Sequence, residues 1–167
     1  MENLRNLFSE GSGIPEDLKE TVEKIYSIVE RLNKRRRDEQ QFVLWRELEN
    51  ILGIEVEIIT QEYELEERVI RDNETSIINR RKGNIFDVLF QSLPSLYTCC
   101  DSHCGTEYII LPNNFVIFLD ESGLDFSENL EKIADRILDE AKRHEEYNKL
   151  CEEEEKRLWS EYPEDED

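Results

Sequence analysis

From Leu18 onward the apolar residues fall at Leu18, Val22, Ile25, Val29 and Leu32, in steps of four, three, four and three. That period is one stripe of an α-helix. Pro15 suits a first helical position, and Glu16 with Asp17 suits the positive end of the helix dipole. The predicted helix closes in the basic run Lys34 to Arg37. Asp38 followed by Gln41 reads as a capping box opening a second helix. Leu44, Trp45, Leu48, Ile51 and Leu52 form its apolar face, and Gly53 is its expected stop.

The period then shortens to two. IEVEII at 54–59 and EYELE at 62–66 alternate apolar with acidic residues, and DNET at 72–75 signals a turn, so 63–71 and 76–81 are expected to form a hairpin. Asn84 is expected to cap a short helix over 85–93 that Pro94 ends, although its dense apolar run also suits a strand. EYIILPNNFVIFLD is the clearest hairpin, turning at Pro112-Asn113-Asn114. Its strands are apolar on both faces, which predicts a covered position at the centre of a sheet. Asp125 and Glu128 read as the capping box of a final helix. That helix carries Leu130, Ile133, Ala134, Ile137, Leu138 and Ala141 on one stripe and continues through Tyr147, Cys151 and Leu158.

The predicted fold class is therefore α+β, a single domain over 1–160. Its mainly antiparallel sheet packs against N-terminal helices and a long C-terminal helix, with the helices on one side. Residues 1–13 read as a loose lead-in, and 161–167 as an acidic disordered tail.

Charge changes the picture most. Among 167 residues, 21 Lys and Arg face 41 Asp and Glu, a formal net charge of −20. This exceeds the magnitude of about 2–8 that suits a small soluble domain. Glu outnumbers Asp and alanine is confined to Ala134 and Ala141, which argues against a halophile's surface. A hot-environment protein mixes both signs in networks, so temperature alone does not account for the imbalance. Direct binding to nucleic acid or to an anionic membrane is disfavoured, since both need a dense positive surface. No apolar run approaches the roughly 20 residues of a membrane span. The start, MENLRNLFSEGSG, lacks the apolar core of a secretory signal. The expected location is intracellular, cytoplasmic (the host cytoplasm for a viral protein), with its thiols reduced.

Candidate chemistry gathers in YTCCDSHCGTE at 97–107. Cys99, Cys100, His103 and Cys104 supply one ligand pair for zinc, but the second pair is missing. His144 and Cys151 lie seven residues apart on a predicted helix, about 10 Å along its axis, too far for both to reach one ion. A disulfide among Cys99, Cys100, Cys104 and Cys151 is possible in composition, and a reducing compartment opposes it. The surrounding acid opposes a thiolate nucleophile. The plain reading is a connecting loop with partly tucked thiols. The chain has no phosphate-cradling Gly-rich loop, no HExxH and no GxSxG. No cofactor is expected, and none of these patterns points to an enzyme.

The glutamates offer the alternative. Glu55, Glu57, Glu62, Glu64 and Glu66 form acidic ladders spaced about 6.6 Å along a strand face. Glu152, Glu153, Glu154 and Glu155 form a second array on the final helix, with Trp159 beyond it, read as packing the last helical turn onto the body or as an aromatic anchor for a partner. Two basic islands, Lys34 to Arg37 and Arg80-Arg81-Lys82, are read as counterions to the neighbouring acid. Fixed rows of carboxylates can imitate a phosphate backbone and capture a basic groove quickly and specifically. The expected function is a non-enzymatic inhibitor or regulator that binds the basic surface of nucleic-acid machinery (a polymerase, nuclease or defence complex). Small acidic viral regulators share that general character by charge alone. An assembly module joined through apolar helix faces such as Ile137 and Leu138 is the alternative, and a small cysteine-based metal or redox protein the third.

Overall fold

A computed structural model describes residues 2–34, 41–54, 63–71, 74–99, 105–112 and 114–161, with the backbone alone at 2–3, 63–71 and 74–82. In chain order the elements are α1 (Glu2–Arg5), α2 (Lys19–Lys34, entered through a 3₁₀ turn at Glu16–Leu18) and α3 (Gln41–Leu52). A ribbon of β1 (Tyr63–Arg71) and β2 (Glu74–Gly83) follows, then α4 (Ile85–Ser92). Four strands come next: β3 (Ser95–Cys99), β4 (Gly105–Ile110), β5 (Val116–Asp120) and β6 (Gly123–Ser127). A 3₁₀ turn at Leu130–Ile133 leads into α5 (Ala134–Glu161). The fold is α+β: the four strands make one antiparallel sheet in the order β3-β4-β5-β6, and β1-β2 stands as a separate two-stranded sheet.

The central strands bury both faces because their apolar residues do not alternate with polar ones. Ile109 pairs with Ile117 in register, and Tyr108 with Phe118. The first pair joins α2, α3 and α4 in the larger core, around Ile25, Val29, Leu32, Leu48, Leu52 and Leu89. The second pair, with Val116, meets Leu4, Phe8, Leu130 and Ile137 in a smaller core. Helices thus cover both faces of the sheet rather than one, because period-two strands apolar throughout need a cover on each side.

The start of the chain is tied down where composition suggested a loose lead-in. Leu4 and Phe8 are buried in the smaller core, and the Ser9 amide donates to the Ser95 carbonyl at 2.9 Å on the outer edge of β3. Two apolar side chains offset the ordering of this short segment.

Local signals worked where they were complete. Gly53 ends α3 with φ +71, a backbone shape that glycine adopts without strain. A Cβ there would stand 2.8 Å from the Asn84 Cβ. Asn84 caps α4 with a full capping box, its side chain accepting from the Asp87 amide, so the helical reading of 85–93 holds over the strand reading. Asn114 turns the β4–β5 hairpin with φ 62. One signal misled: Asp125 lies inside β6, where its Oδ1 accepts the Phe126 amide at 2.8 Å, and Asn129 is the residue that caps the final helical stretch. Residues 35–40 and 54–62 carried the expected basic run, the Asp38 cap and the IEVEII strand; apart from Ile54 they lie outside the described residues, as do 162–167.

Candidate functional site

The acidic positions of β1 are paired in register with positions of β2. The register sets Glu64 opposite Lys82, Glu66 opposite Arg80, and Arg71 opposite Glu74. Cross-strand partners share a face, and opposite charges there stabilise the pairing by about 0.2–1 kcal/mol. Within the basic island at 80–82, Arg80 and Lys82 thus stand at register positions opposite acids, and Arg81 opposite Leu65. Glu55, Glu57 and Glu62 lie outside the described residues.

The second acidic array stands in the open. Ile137 is fully buried against the sheet, whereas every residue from Asn148 to Glu161 is exposed. Glu152, Glu153, Glu154 and Glu155 are therefore in water, with Leu150 64 %, Leu158 47 % and Trp159 58 % accessible. Trp159 does not pack the last helical turn onto the body. Arg157 Nη2 holds Glu154 Oε1 at 2.5 Å and Lys149 Nζ holds Glu145 Oε1 at 3.4 Å. Exposed pairs of this kind contribute about 0–1 kcal/mol. Residues 148–161 project about 21 Å along the helix axis.

What aims this rod is a polar clamp that the sequence did not reveal. Glu140 sits on the sheet-facing stripe of α5, three residues after Ile137. The Tyr108 hydroxyl donates to its Oε2, Thr98 Oγ1 donates to the same oxygen at 3.3 Å, and Arg136 Nε donates to Oε1 at 3.0 Å. Arg136 also reaches Asp120 Oδ2 at 3.3 Å and lies over the Phe118 ring at 4.7 Å. Ser122 donates its amide (2.9 Å) and hydroxyl (2.6 Å) to Asp120 Oδ1. Burial first, then the bond to Glu140, pushes the Tyr108 phenol far above its ordinary value, so it stays a neutral donor. Burial pushes the Asp120 carboxyl up, but Ser122 and Arg136 pull harder, and the net shift is downward. Beside this clamp a cavity of about 280 Å³ is lined by Thr98, Thr106, Asp120, Ser122, Arg136 and Arg143. Its Arg136 is held as above, its Arg143 pairs with Asp139 outside the lining at 3.1 Å, and Glu121 also lines it.

One turn further, His144 docks on the end of β3. Its Nδ1 stands 2.9 Å from the Cys99 amide nitrogen and 3.0 Å from the Cys99 carbonyl oxygen. Either neutral tautomer therefore finds a partner, accepting from the amide or donating to the carbonyl. Ser9 and His144 between them occupy the outward backbone groups of Ser95 and Cys99, which shields an edge strand from further pairing. Tyr97 meets the His144 ring edge-on at 6.0 Å, and its phenol is pushed up first by the bond to the Cys99 thiol and then by burial.

No family model, curated protein or solved structure matches the chain. Its own residues carry the reading. Neither Cys99 nor Cys151 is in a disulfide; Cys100, His103 and Cys104 lie outside the described residues. Among the described residues no group of three His, Cys, Asp or Glu side chains is arranged to hold a metal ion. Among them, too, no helix is long and apolar enough to cross a membrane. The sheet, clamp and rod remain: a body that presents one acidic helix end to solvent.

Proposed function

We propose that this is a non-enzymatic acidic interaction protein that occupies the basic, nucleic-acid-binding surface of another protein. A polymerase, a nuclease or a defence complex has a surface of the right chemistry. The supporting observation is the exposed end of α5, where Glu152 to Glu155 and Trp159 stand clear of the body. A net charge of −20 adds long-range attraction, raising the encounter rate with a positive groove. The register of β1 with β2 sets cations opposite Glu64 and Glu66, so the α5 end leads and the strand ladder is secondary. The unbridged Cys99 and Cys151 suit the reducing cytoplasm in which such machinery works.

The test is affinity capture with the full chain, at low and high salt, with and without a competing polyanion such as heparin. A second bait carries Gln in place of Glu152, Glu153, Glu154 and Glu155. Basic nucleic-acid-binding proteins are expected on the native bait at low salt, and they should leave with salt or heparin and fail to load on the Gln bait. Retention indifferent to salt and heparin would overturn the reading.

Of the two residues of the assembly alternative, Ile137 is fully buried within one chain, whereas Leu138 is 42 % exposed. Leu150 and Leu158 keep an apolar helix face exposed, and sedimentation of the native chain tests whether copies associate through it.

A further inference from the structure

The stripe by which α5 meets the sheet does not stop at the sheet's edge. Ile133, Ile137, Glu140 and His144 are spaced by four, three and four residues, and each engages the body: Ile133 and Ile137 in the smaller core, Glu140 with Tyr108, and His144 with Cys99. The same steps continue through Tyr147, Cys151, Glu154 and Leu158, with Leu150 alongside. From Leu150 onward these positions are exposed. A seam of period 3.5 fits a second helix, whereas a strand repeats every two residues.

We propose that this seam is the docking strip for a cationic amphipathic helix of the partner protein. The inference rests on the acidic-capture reading above and specifies what the partner presents. Charge decides the occupant. A second copy laid parallel in register would bring Glu154 against Glu154, and an antiparallel copy with Cys151 opposite Leu158 would still set Glu154 against Glu155 at the centre of the seam; like charges facing each other on helices are unfavourable. The seam reads apolar, acidic, apolar: Leu150 and Cys151, then Glu154, then Leu158. Its complement carries Lys or Arg between two apolar residues about seven apart, one heptad. Arg157 now holds Glu154, but an exposed pair is exchanged at little cost. Trp159 lies about 120° round the helix from Tyr147, on the strip's flank rather than its centre.

Two peptides of identical composition test this against the full chain by titration calorimetry. In one, Leu and Arg form a single helical face with Arg between two leucines seven apart; in the other the same residues are scrambled. The patterned peptide is expected to bind at least about tenfold tighter, the worth of one good charged contact. Glu154→Gln should weaken it about tenfold, while Glu145→Gln, about 180° away on the same helix, should leave it within about twofold. Leu158→Asp should abolish the preference for the patterned peptide. Circular dichroism checks that each variant keeps its helix content. Equal binding of both peptides, or equal losses from the two Gln variants, overturns the strip and leaves acidic capture standing. No binding of either peptide at low salt overturns both. Concentration-dependent self-association abolished by Leu158→Asp would assign the strip to a second copy and overturn the proposal.

Discussion

Glu140 stands where the stripe of α5 would ordinarily continue with leucine or isoleucine. It accepts from Tyr108, Thr98 and Arg136, so its removal strands the hydroxyl of fully buried Tyr108 and that of nearly buried Thr98. Glu140→Ala is expected to lower unfolding free energy by about 2–4 kcal/mol, and Tyr108→Phe by about 1 kcal/mol, in urea titrations. Equal losses would mean that Glu140 is no clamp. Asp120 adds a pH signature. Its folded carboxyl titrates below its ordinary value, so its stabilisation is complete above the unfolded value of about 3.9 and fades as pH falls through the folded one. Asp120→Asn should therefore cost stability at neutral pH and flatten the acid limb of the stability curve; an unchanged acid limb would refute the assignment. None of this clamp was visible beforehand, because Tyr108 and Glu140 are 32 residues apart. Periodicity gives the side of a helix a residue occupies, but not the hydroxyl waiting opposite. The one clue was an acidic residue on an apolar stripe.

At the scale of elements, the sequence was most legible where two local signals agreed. The Asn84 cap and the Pro94 stop marked α4, and two apolar runs around Pro112-Asn113-Asn114 marked the central hairpin. Strand β6 was missed because five residues, Gly123–Ser127, are too short for a period to show and because Asp125 resembles a cap. The β1–β2 ribbon makes the register testable. Glu66→Arg alone places like charge opposite Arg80 and should destabilise the chain by about 0.5–1 kcal/mol. Adding Arg80→Glu restores opposite charges and should recover most of the loss in a double-mutant cycle. Additive losses would mean that the two positions are not partners. α5 divides at the sheet's edge in the same way. Residues 134–144 are anchored by Ile137, Glu140 and His144, while 148–161 rely on helix propensity and pairs such as Lys149–Glu145. A lone helix of that length is marginal in water. Amide exchange should be slow in the first part and fast in the second, and a bound partner should slow the second. Uniform protection along α5 in the free chain would show that the rod has a cover of its own.

For the whole molecule, the proposed capture has charge working against the fold and for the interaction, and salt separates the two. A chain at −20 repels itself when compact. At 0.01 M ionic strength charges interact over about 30 Å, and at 0.1 M over about 10 Å. Raising salt over that range should relieve repulsion and raise Tm by about 2–4 °C for each kcal/mol relieved. The clamp pairs and the β1–β2 register push weakly the other way, since salt also screens attraction, but acids outnumber bases nearly two to one. Capture of a basic partner loses its long-range attraction over the same range. Stability and affinity should thus move in opposite directions along one salt series, followed by thermal unfolding of the free chain and by titration with the patterned peptide. If both rose with salt, apolar contacts along Leu150 and Leu158 would dominate and the acidic array would be solvated surface. If both fell, internal ion pairs would outweigh self-repulsion, and the excess of glutamate would carry no cost for a partner to offset. Only the crossed response identifies a fold that tolerates its charge because another molecule uses it.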